Sequence, residues 1–225
     1  MSHVSRQPEK LRVVLVEDHP LFREQLAHLI NKEPGMTVSG ETDNIADALR
    51  LLESEPADIV IVDLTLKGPS GLELIKDLKA RRIDITVLVL SMHDESLYAE
   101  RVLRAGARGY ITKNEASREV MSAIRKVLSG EIYVTPPMAA RLLENLSIHS
   151  QKETGVSLLT DRELEIFELI GRGQSTREIS HCLHLGVSTI DTYRARMKMK
   201  LGLENASQLA HEAIRWVSAG QKASA

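Results

Sequence analysis

Cysteine is nearly absent from the chain. Cys182 stands alone among 225 residues, which excludes an internal disulfide and fits a reducing compartment. It lies in an amphipathic stretch and is expected to be a small core residue. No apolar run approaches the roughly 20 residues needed to span a bilayer. The amino-terminal MSHVSRQPEK has no apolar stretch of the kind a secretory signal carries. These absences predict a soluble cytoplasmic protein with no membrane partner. Long repeats and low-complexity blocks are also missing. The net charge of −2 argues against a molecule that binds polyanions with its whole surface. The cations Arg194, Arg196, Lys198 and Lys200 nevertheless crowd together near the end. The length suits one large domain or two small ones, each able to bury a core.

What is present begins with a rhythm. Short apolar runs at Leu11–Val16, Met36–Gly40, Ile59–Val62, Ile85–Leu90 and Gly109–Thr112 alternate with amphipathic stretches near 20–31, 45–52, 70–78, 97–105 and 115–128. Unbroken β-branched runs suit parallel strands covered on both faces. Five strands alternating with helices predict an α/β fold, a doubly wound five-stranded parallel sheet. The segment 129–157 breaks the rhythm with Gly130, Pro136, Pro137 and the polar run HSQKETG at 149–155. It reads as a linker, loosest near 147–157, with a short helix around 138–146; residues 1–10 read as loose too. From Leu158 the pattern is helical only. Thr160–Glu163, Ser175–Glu178 and Ser188–Asp191, like Ser70–Glu73 earlier, have capping-box spacing. The last three boxes open helices at about 160–171, 175–183 and 188–201, with a fourth near 205–217, the spacing of a helix-turn-helix.

The chemistry lies at the strand ends. In an open α/β sheet, ligands bind beyond the carboxyl ends of the strands. Here those ends carry Glu17 and Asp18, Asp63, Ser91 and Lys113. Three adjacent carboxylates repel one another unless a cation holds them. Oxygen-only ligation suits Mg²⁺ rather than zinc, with the backbone carbonyl of Thr65 as a further donor. A cation beside a lysine and a hydroxyl suits a phosphoryl group. Asp63 is then the acceptor, forming an acyl phosphate, and Ser91 donates to a phosphoryl oxygen. Taken singly, each residue has a plainer role. Asp18 could cap the first helix, Ser91 could be a cap, Lys113 a solvated charge and Tyr110 a half-buried core aromatic. Their arrival together at four strand ends outweighs those roles. Two enzymes fit worse. A haloacid-dehalogenase-type phosphatase needs an acid two residues after the aspartate, where this chain has Thr65. A dinucleotide oxidoreductase needs G-x-G-x-x-G where this chain has Glu17-Asp18-His19-Pro20.

With Glu17-Asp18, Asp63, Ser91, Tyr110 and the run GARGYITK ending at Lys113, residues 11–128 resemble a two-component receiver domain. The resemblance implies that a sensor histidine kinase or a small phosphodonor phosphorylates Asp63 with Mg²⁺, without turnover of a substrate, so the protein is not an enzyme. It makes Tyr110 and Ser91 the switch pair, Tyr110 rotating inward as the loop behind Ser91 closes. It also places Thr65 and His93 at positions that tune phosphoryl lifetime. Asn114 stands where many receivers have proline.

On a helical wheel of the third carboxyl-terminal helix, Ile190, Tyr193, Met197 and Leu201 share one face. Ser188, Asp191, Thr192, Ala195 and Met199 lie opposite, flanked by Arg196 and Lys198, with Arg194 nearer the core boundary. Small exposed groups edged by cations suit a DNA major groove. The runs LTDRELEIFELIGRGQSTREIS and VSTIDTYRARMKMKLGLENASQLAHEAI resemble the LuxR/NarL/FixJ-type helix-turn-helix over 158–217. Typical members have lysine and histidine where this chain has Asp191 and Tyr193. The resemblance implies double-stranded DNA as a partner, a homodimer when phosphorylated, and a dimerisation helix striped by Leu209, Ala213, Ile214 and Val217. The expected whole is a response regulator. The competing reading is a constitutive DNA-binding protein whose receiver serves only as a protein-interaction module.

Overall fold

Strand order is what brings the acidic residues together. In a computed structural model describing residues 10–93, 95–147 and 155–223, five parallel strands form a sheet ordered β2-β1-β3-β4-β5. They are β1 (Leu11–Val16), β2 (Met36–Thr42), β3 (Ile59–Val62), β4 (Thr86–Ser91) and β5 (Gly109–Thr112). Register aligns Val62 with Val16 on one side and Val89 on the other. The first residues past β1 and β3, Glu17 and Asp63, therefore emerge at the same level of adjacent strands.

The period of two along each strand divides the sheet's side chains between two apolar layers. Val13, Leu15, Ile59, Ile61, Leu88, Leu90 and Ile111 face one way, toward α1 (Pro20–Lys32) and α5 (Ala116–Leu128). Val14, Val16, Val60, Val62, Val87, Val89 and Tyr110 face the other. They pack against α2 (Ile45–Ser54), α3 (Gly71–Ala80) and α4 (Glu95–Ala105). The second layer does not end at the sheet domain. It runs without a break into Leu159, Leu164, Ile166 and Phe167 of the carboxyl-terminal helices.

Those helices are α7 (Asp161–Gly171), α8 (Thr176–Cys182), α9 (Val187–Leu201) and α10 (Ala206–Ala223), preceded by a 3-10 turn at Gly155–Leu158 and by α6 (Pro136–Ser147). The expected loose linker is anchored at its start. Tyr133 pairs with Gly109 at the β5 edge, Thr135 donates to Glu95 through backbone and hydroxyl, and Met138 is buried. Residues 1–9 and 148–154, which hold most of the segments expected to be loose, lie outside the described residues.

Two of the four expected capping boxes form, at Thr160–Glu163 and Ser175–Glu178. Ser70 caps α3 alone, because the Glu73 side chain pairs with Lys76 instead of turning back. The Ser188–Asp191 box does not form. Helix α9 starts one residue earlier, so Gly186 is its N-cap and Ser188 is already inside the first turn. Cys182 is exposed rather than in the core. It ends α8, and the neighbouring Ile179 and Leu183 fill the buried positions.

Candidate functional site

The phosphoacceptor candidate sits in a closed electrostatic cage. Asp63 is 2 % exposed. Its Oδ2 accepts from Lys113 Nζ at 2.7 Å, and its Oδ1 accepts from the Thr65 backbone N–H at 3.1 Å. Lys113 Nζ also lies 2.6 Å from Glu17 Oε2 and 4.7 Å from the centre of the Phe22 ring. Burial pushes the Asp63 pKa up to about 6, with Lys113 opposing and the Glu17 charge adding to the rise. Lys113 stays charged: burial works against it, but Asp63 and Glu17 together hold its pKa above the ordinary value. A glycine makes the arrangement possible. Gly71, in the first turn of α3, packs so close that a Cβ there would lie 1.9 Å from the Asp63 carbonyl oxygen.

Carboxylate oxygens of Glu17, Asp18 and Asp63 and a ring nitrogen of His19 lie within 4.8 Å of one another. Asp18 is buried, and its Oδ1 has no hydrogen-bond partner among the described residues. His19 Nδ1 approaches that oxygen to 2.9 Å but makes its hydrogen bond to Glu17 Oε1. Nor does Asp18 cap α1: the N-cap is His19, with Pro20 opening the helix. Three clustered carboxylates, one with an orphaned buried oxygen and with the exposed His19 imidazole at their edge, have the chemistry of a hard divalent cation site.

Ser91 is fully buried, and its Oγ accepts from the His93 backbone N–H at 3.2 Å. Tyr110 departs from expectation. It is already turned inward, 1 % exposed, with its hydroxyl on the His93 carbonyl at 2.9 Å. Its inward position therefore needs no phosphoryl group, because the His93 carbonyl supplies the hydroxyl's partner.

His93 is the residue on which these bonds converge. Its Nε2 lies 3.0 Å from Thr65 Oγ1, and its Nδ1 lies 2.7 Å from Glu168 Oε2 of helix α7. Burial alone would push the imidazole pKa down, but Glu168 outweighs it and the net shift is upward. Burial likewise opposes Glu168, and His93 and Arg172 hold its pKa below the ordinary value. The contact joins the two halves of the molecule, and each partner favours the other's charged form. Glu168 was not singled out in the sequence, because as a helix residue four before Arg172 it reads as a surface i,i+4 partner. It does bond Arg172 Nη2 at 2.5 Å, yet it is fully buried.

In the carboxyl-terminal helices, α8, a four-residue turn and α9 form the helix-turn-helix. Ile190 and Met197 are buried and Tyr193 and Leu201 partly so, as the wheel requires. Ser188, Asp191, Thr192, Ala195 and Arg196 are exposed, while Arg194 and Lys198 are half-buried. Arg194 Nη1 reaches Thr176 Oγ1 at 3.5 Å, bracing α8 against α9. The Thr192 hydroxyl turns back to the Ser188 carbonyl at 2.9 Å. Lys200 is committed to Glu163 at 2.6 Å. The α10 stripe divides: Leu209, Ala213 and Val217 are buried, and Ile214 points outward.

Comparisons with known proteins agree with this architecture. Residues 13–125 match the response regulator receiver domain and residues 157–213 the bacterial regulatory proteins of the luxR family. Response regulator UvrY of Escherichia coli is 34% identical over 91% of this chain and 94% of its own length. Response regulator GacA of Pseudomonas aeruginosa is 32% identical over 91% of this chain and 96% of its own. RcsB from Salmonella enterica serovar Typhimurium, solved bound to promoter P1flhDC in the presence of phosphomimetic BeF3-, is 25% identical with a TM-score of 0.56, over 91% of this chain and 98% of that one. With a receiver sheet followed by a luxR-type helix-turn-helix, the chain belongs to the two-component response regulators of the LuxR/NarL/FixJ type, DNA-binding regulators of transcription.

Proposed function

We propose that a sensor histidine kinase phosphorylates Asp63 and that this controls dimerisation and sequence-specific binding of double-stranded DNA by a cytoplasmic regulator. The carrying observation is the cage itself. Asp63, Glu17 and Lys113 meet within hydrogen-bonding distance at the ends of adjacent strands, with Ser91 buried at the end of the next. The units proposed are a receiver over 11–128, a connecting segment over 129–157 and a DNA-binding domain over 158–217.

In the transfer, an Asp63 carboxylate oxygen bonds to phosphorus. The bond from phosphorus to the donor breaks, and its electron pair leaves with the kinase imidazole or, from acetyl phosphate, with acetate. Lys113 neutralises charge on the phosphoryl oxygens, and the Ser91 hydroxyl donates to one of them. Glu17, Asp18, Asp63 and the Thr65 carbonyl would hold Mg²⁺, which when bound supplies charge neutralisation at the phosphoryl group. The product adds roughly −1.5 to −2 charge to the crevice, enough to bias a two-state element. Because Asp63 is modified and not regenerated with a released product, the chain acts as a signal carrier and not as an enzyme.

DNA reading is assigned to Ser188, Asp191, Thr192, Ala195 and Arg196 on the exposed strip, with Arg194 and Lys198 at its edges. Promoter DNA in the RcsB complex supports DNA as the partner of this half of the chain. Dimers would place two such helices on paired half-sites.

Labelling with radioactive acetyl phosphate and Mg²⁺ tests the chemistry: the parent takes label and Asp63→Asn does not. Equal labelling of the two would refute the assignment. One observation favours the constitutive reading. Helix α9 keeps its strip exposed while the two halves are docked, so docking does not cover the reading face. Equal DNA affinity and equal oligomeric state with and without phosphodonor would establish that reading.

A further inference from the structure

Helix α7 buries three carboxylates besides its capping-box residue Glu163. Asp161, Glu165 and Glu168 are 8 %, 3 % and 0 % exposed. Burying several carboxylates along one helix is costly unless each finds a partner. Asp161 finds Lys76 on α3 and Arg101 on α4. The Arg101 guanidinium also donates to the carbonyls of Leu159 at 2.8 Å and Val156 at 3.1 Å. Glu165 pairs with Arg162, but its Oε1 stays buried with no hydrogen-bond partner among the described residues. Glu168 divides its oxygens: one takes Arg172 of its own helix, and the other crosses to His93.

That crossing ends at the phosphoacceptor. From Glu168 Oε2 the bonds run to His93 Nδ1 (2.7 Å), from His93 Nε2 to Thr65 Oγ1 (3.0 Å), and from the Thr65 N–H to Asp63 Oδ1 (3.1 Å). The same histidine's main chain is bound to Ser91 Oγ and to the Tyr110 hydroxyl. Its ring packs on Tyr98 of α4 with centres 4.5 Å apart. Every side of His93 is therefore fixed, and the side fixed by Glu168 belongs to the DNA-binding half. Asp63 itself is 2 % exposed, so a phosphodonor reaches it only when neighbouring groups move, and Thr65, bonded to its Oδ1, is one of those neighbours.

We infer that Glu168 is a positioning residue of the phosphorylation site: docked on the receiver, it clamps His93 and through it Thr65, and so holds the entrance to Asp63 closed. This rests on the proposal that Asp63 accepts the phosphoryl group. Coupling between sites is reciprocal. If docking disfavours the phosphorylated state, then phosphorylation disfavours docking by the same factor, and any ligand that selects the undocked DNA-binding half favours phosphorylation. The DNA-binding half then helps to set the threshold of its own signal.

The test measures initial rates of labelling of the full-length chain by radioactive acetyl phosphate with Mg²⁺. Glu168→Ala and the near-isosteric Glu168→Gln are compared with the parent and with Lys76→Ala, which loosens docking from the α3 surface. Far-UV circular dichroism and Trp216 fluorescence establish that each is folded. The expected result is a rate increase of about fivefold or more for Glu168→Ala, within the usual range of allosteric coupling. Glu168→Gln and Lys76→Ala should show smaller increases. Combining Glu168→Ala with His93→Ala should add nothing to the larger single effect, because both act through one chain of contacts. Rates for folded Glu168→Ala and Glu168→Gln that equal or fall below the parent's would overturn the inference, as would additive effects of the two alanine substitutions. A parent chain that takes no label at Asp63 defeats the phosphorylation reading instead, which keeps the two failures apart.

Discussion

Gly71→Ala should be destabilising at a position where helix propensity predicts the opposite. Alanine is favoured over glycine by about 1 kcal/mol inside an exposed helix, and α3 is otherwise an ordinary amphipathic helix opened by Ser70. The new Cβ, however, would lie 1.9 Å from the Asp63 carbonyl oxygen and 2.8 Å from Val62 Cγ1. Neither neighbour can yield cheaply. The carbonyl belongs to the backbone just beyond β3, and Val62 is held in register between Val16 and Val89. The start of α3 must therefore withdraw by about 1 Å, and overpacking of this kind costs about 1–3 kcal/mol. Net of the propensity gain, a loss of about 0–2 kcal/mol follows, together with a displaced Asp63. Thermal melting by far-UV circular dichroism gives the first quantity, and the rate of labelling by acetyl phosphate gives the second. Labelling should fall at least tenfold, because misplacing a reacting group by about 1 Å costs on the order of 10² in rate. A variant that melts above the parent and labels at the parental rate would refute the argument that Gly71 is the floor of the site.

Other outcomes follow from the same geometry. Phe167 is fully buried with its ring 5.8 Å from Trp216, so Phe167→Ala should cost about 3–5 kcal/mol, read by Trp216 fluorescence in urea. Glu163 is buried, which works against its charge, but Lys200 and the Thr160 N–H hold its pKa below the ordinary 4.5. A depressed carboxylate contributes stability above its unfolded pKa and loses it as pH falls through the folded one. The stability gap between the parent and Glu163→Gln should therefore be full at neutral pH and close on acidification below about 4.5; a gap unchanged by acid in melts across pH would refute the ion pair. Replacing Arg196 with alanine should lower the slope of log affinity against log salt by about 0.9 if it contacts one phosphate, measured by fluorescence anisotropy with duplex DNA.

Much of the fold was readable because it rests on local repetition. Unbroken runs such as Ile59–Val62 require cover on both faces, and the alternation with amphipathic helices then leaves few topologies. Boundaries slipped where a local signal had two uses. Ser188 and Asp191 have the spacing of a capping box, yet Gly186, two residues earlier, takes the cap with extended backbone angles and leaves Ser188 inside the first turn. Glu73 has the box spacing too, but Lys76 one turn on offers it a cation. Cys182 sits in an apolar rhythm whose buried positions belong to Ile179 and Leu183.

The cage around Asp63 was legible because each member sits at the end of its own strand, so sequence order and sheet order together place it. Glu168 shows what such reading misses. Its sequence neighbours predict a surface pair with Arg172, and that pair forms. Its burial comes instead from a surface 75 residues away in sequence, at His93. No periodicity within α7 encodes that contact, since the helix meets the receiver through the apolar layer shared by Tyr98, Val102, Leu164 and Phe167. A contact between separately patterned units is specified by complementarity alone: the acidic face of α7 opposite Lys76, His93 and Arg101. Of these, Arg101 has no acidic residue three or four positions away in the receiver sequence. That surplus charge is the one trace of the docked arrangement that the sequence carries. It also explains why exchanging charges across this face, with Lys76→Glu and Arg101→Glu set against Asp161→Arg, should restore docking that the changes on either side alone disrupt. Docking in the one-sided variants and the combined one would be followed by small-angle X-ray scattering, and failure of the combined variant to recover the parental dimensions would count against an electrostatic fit.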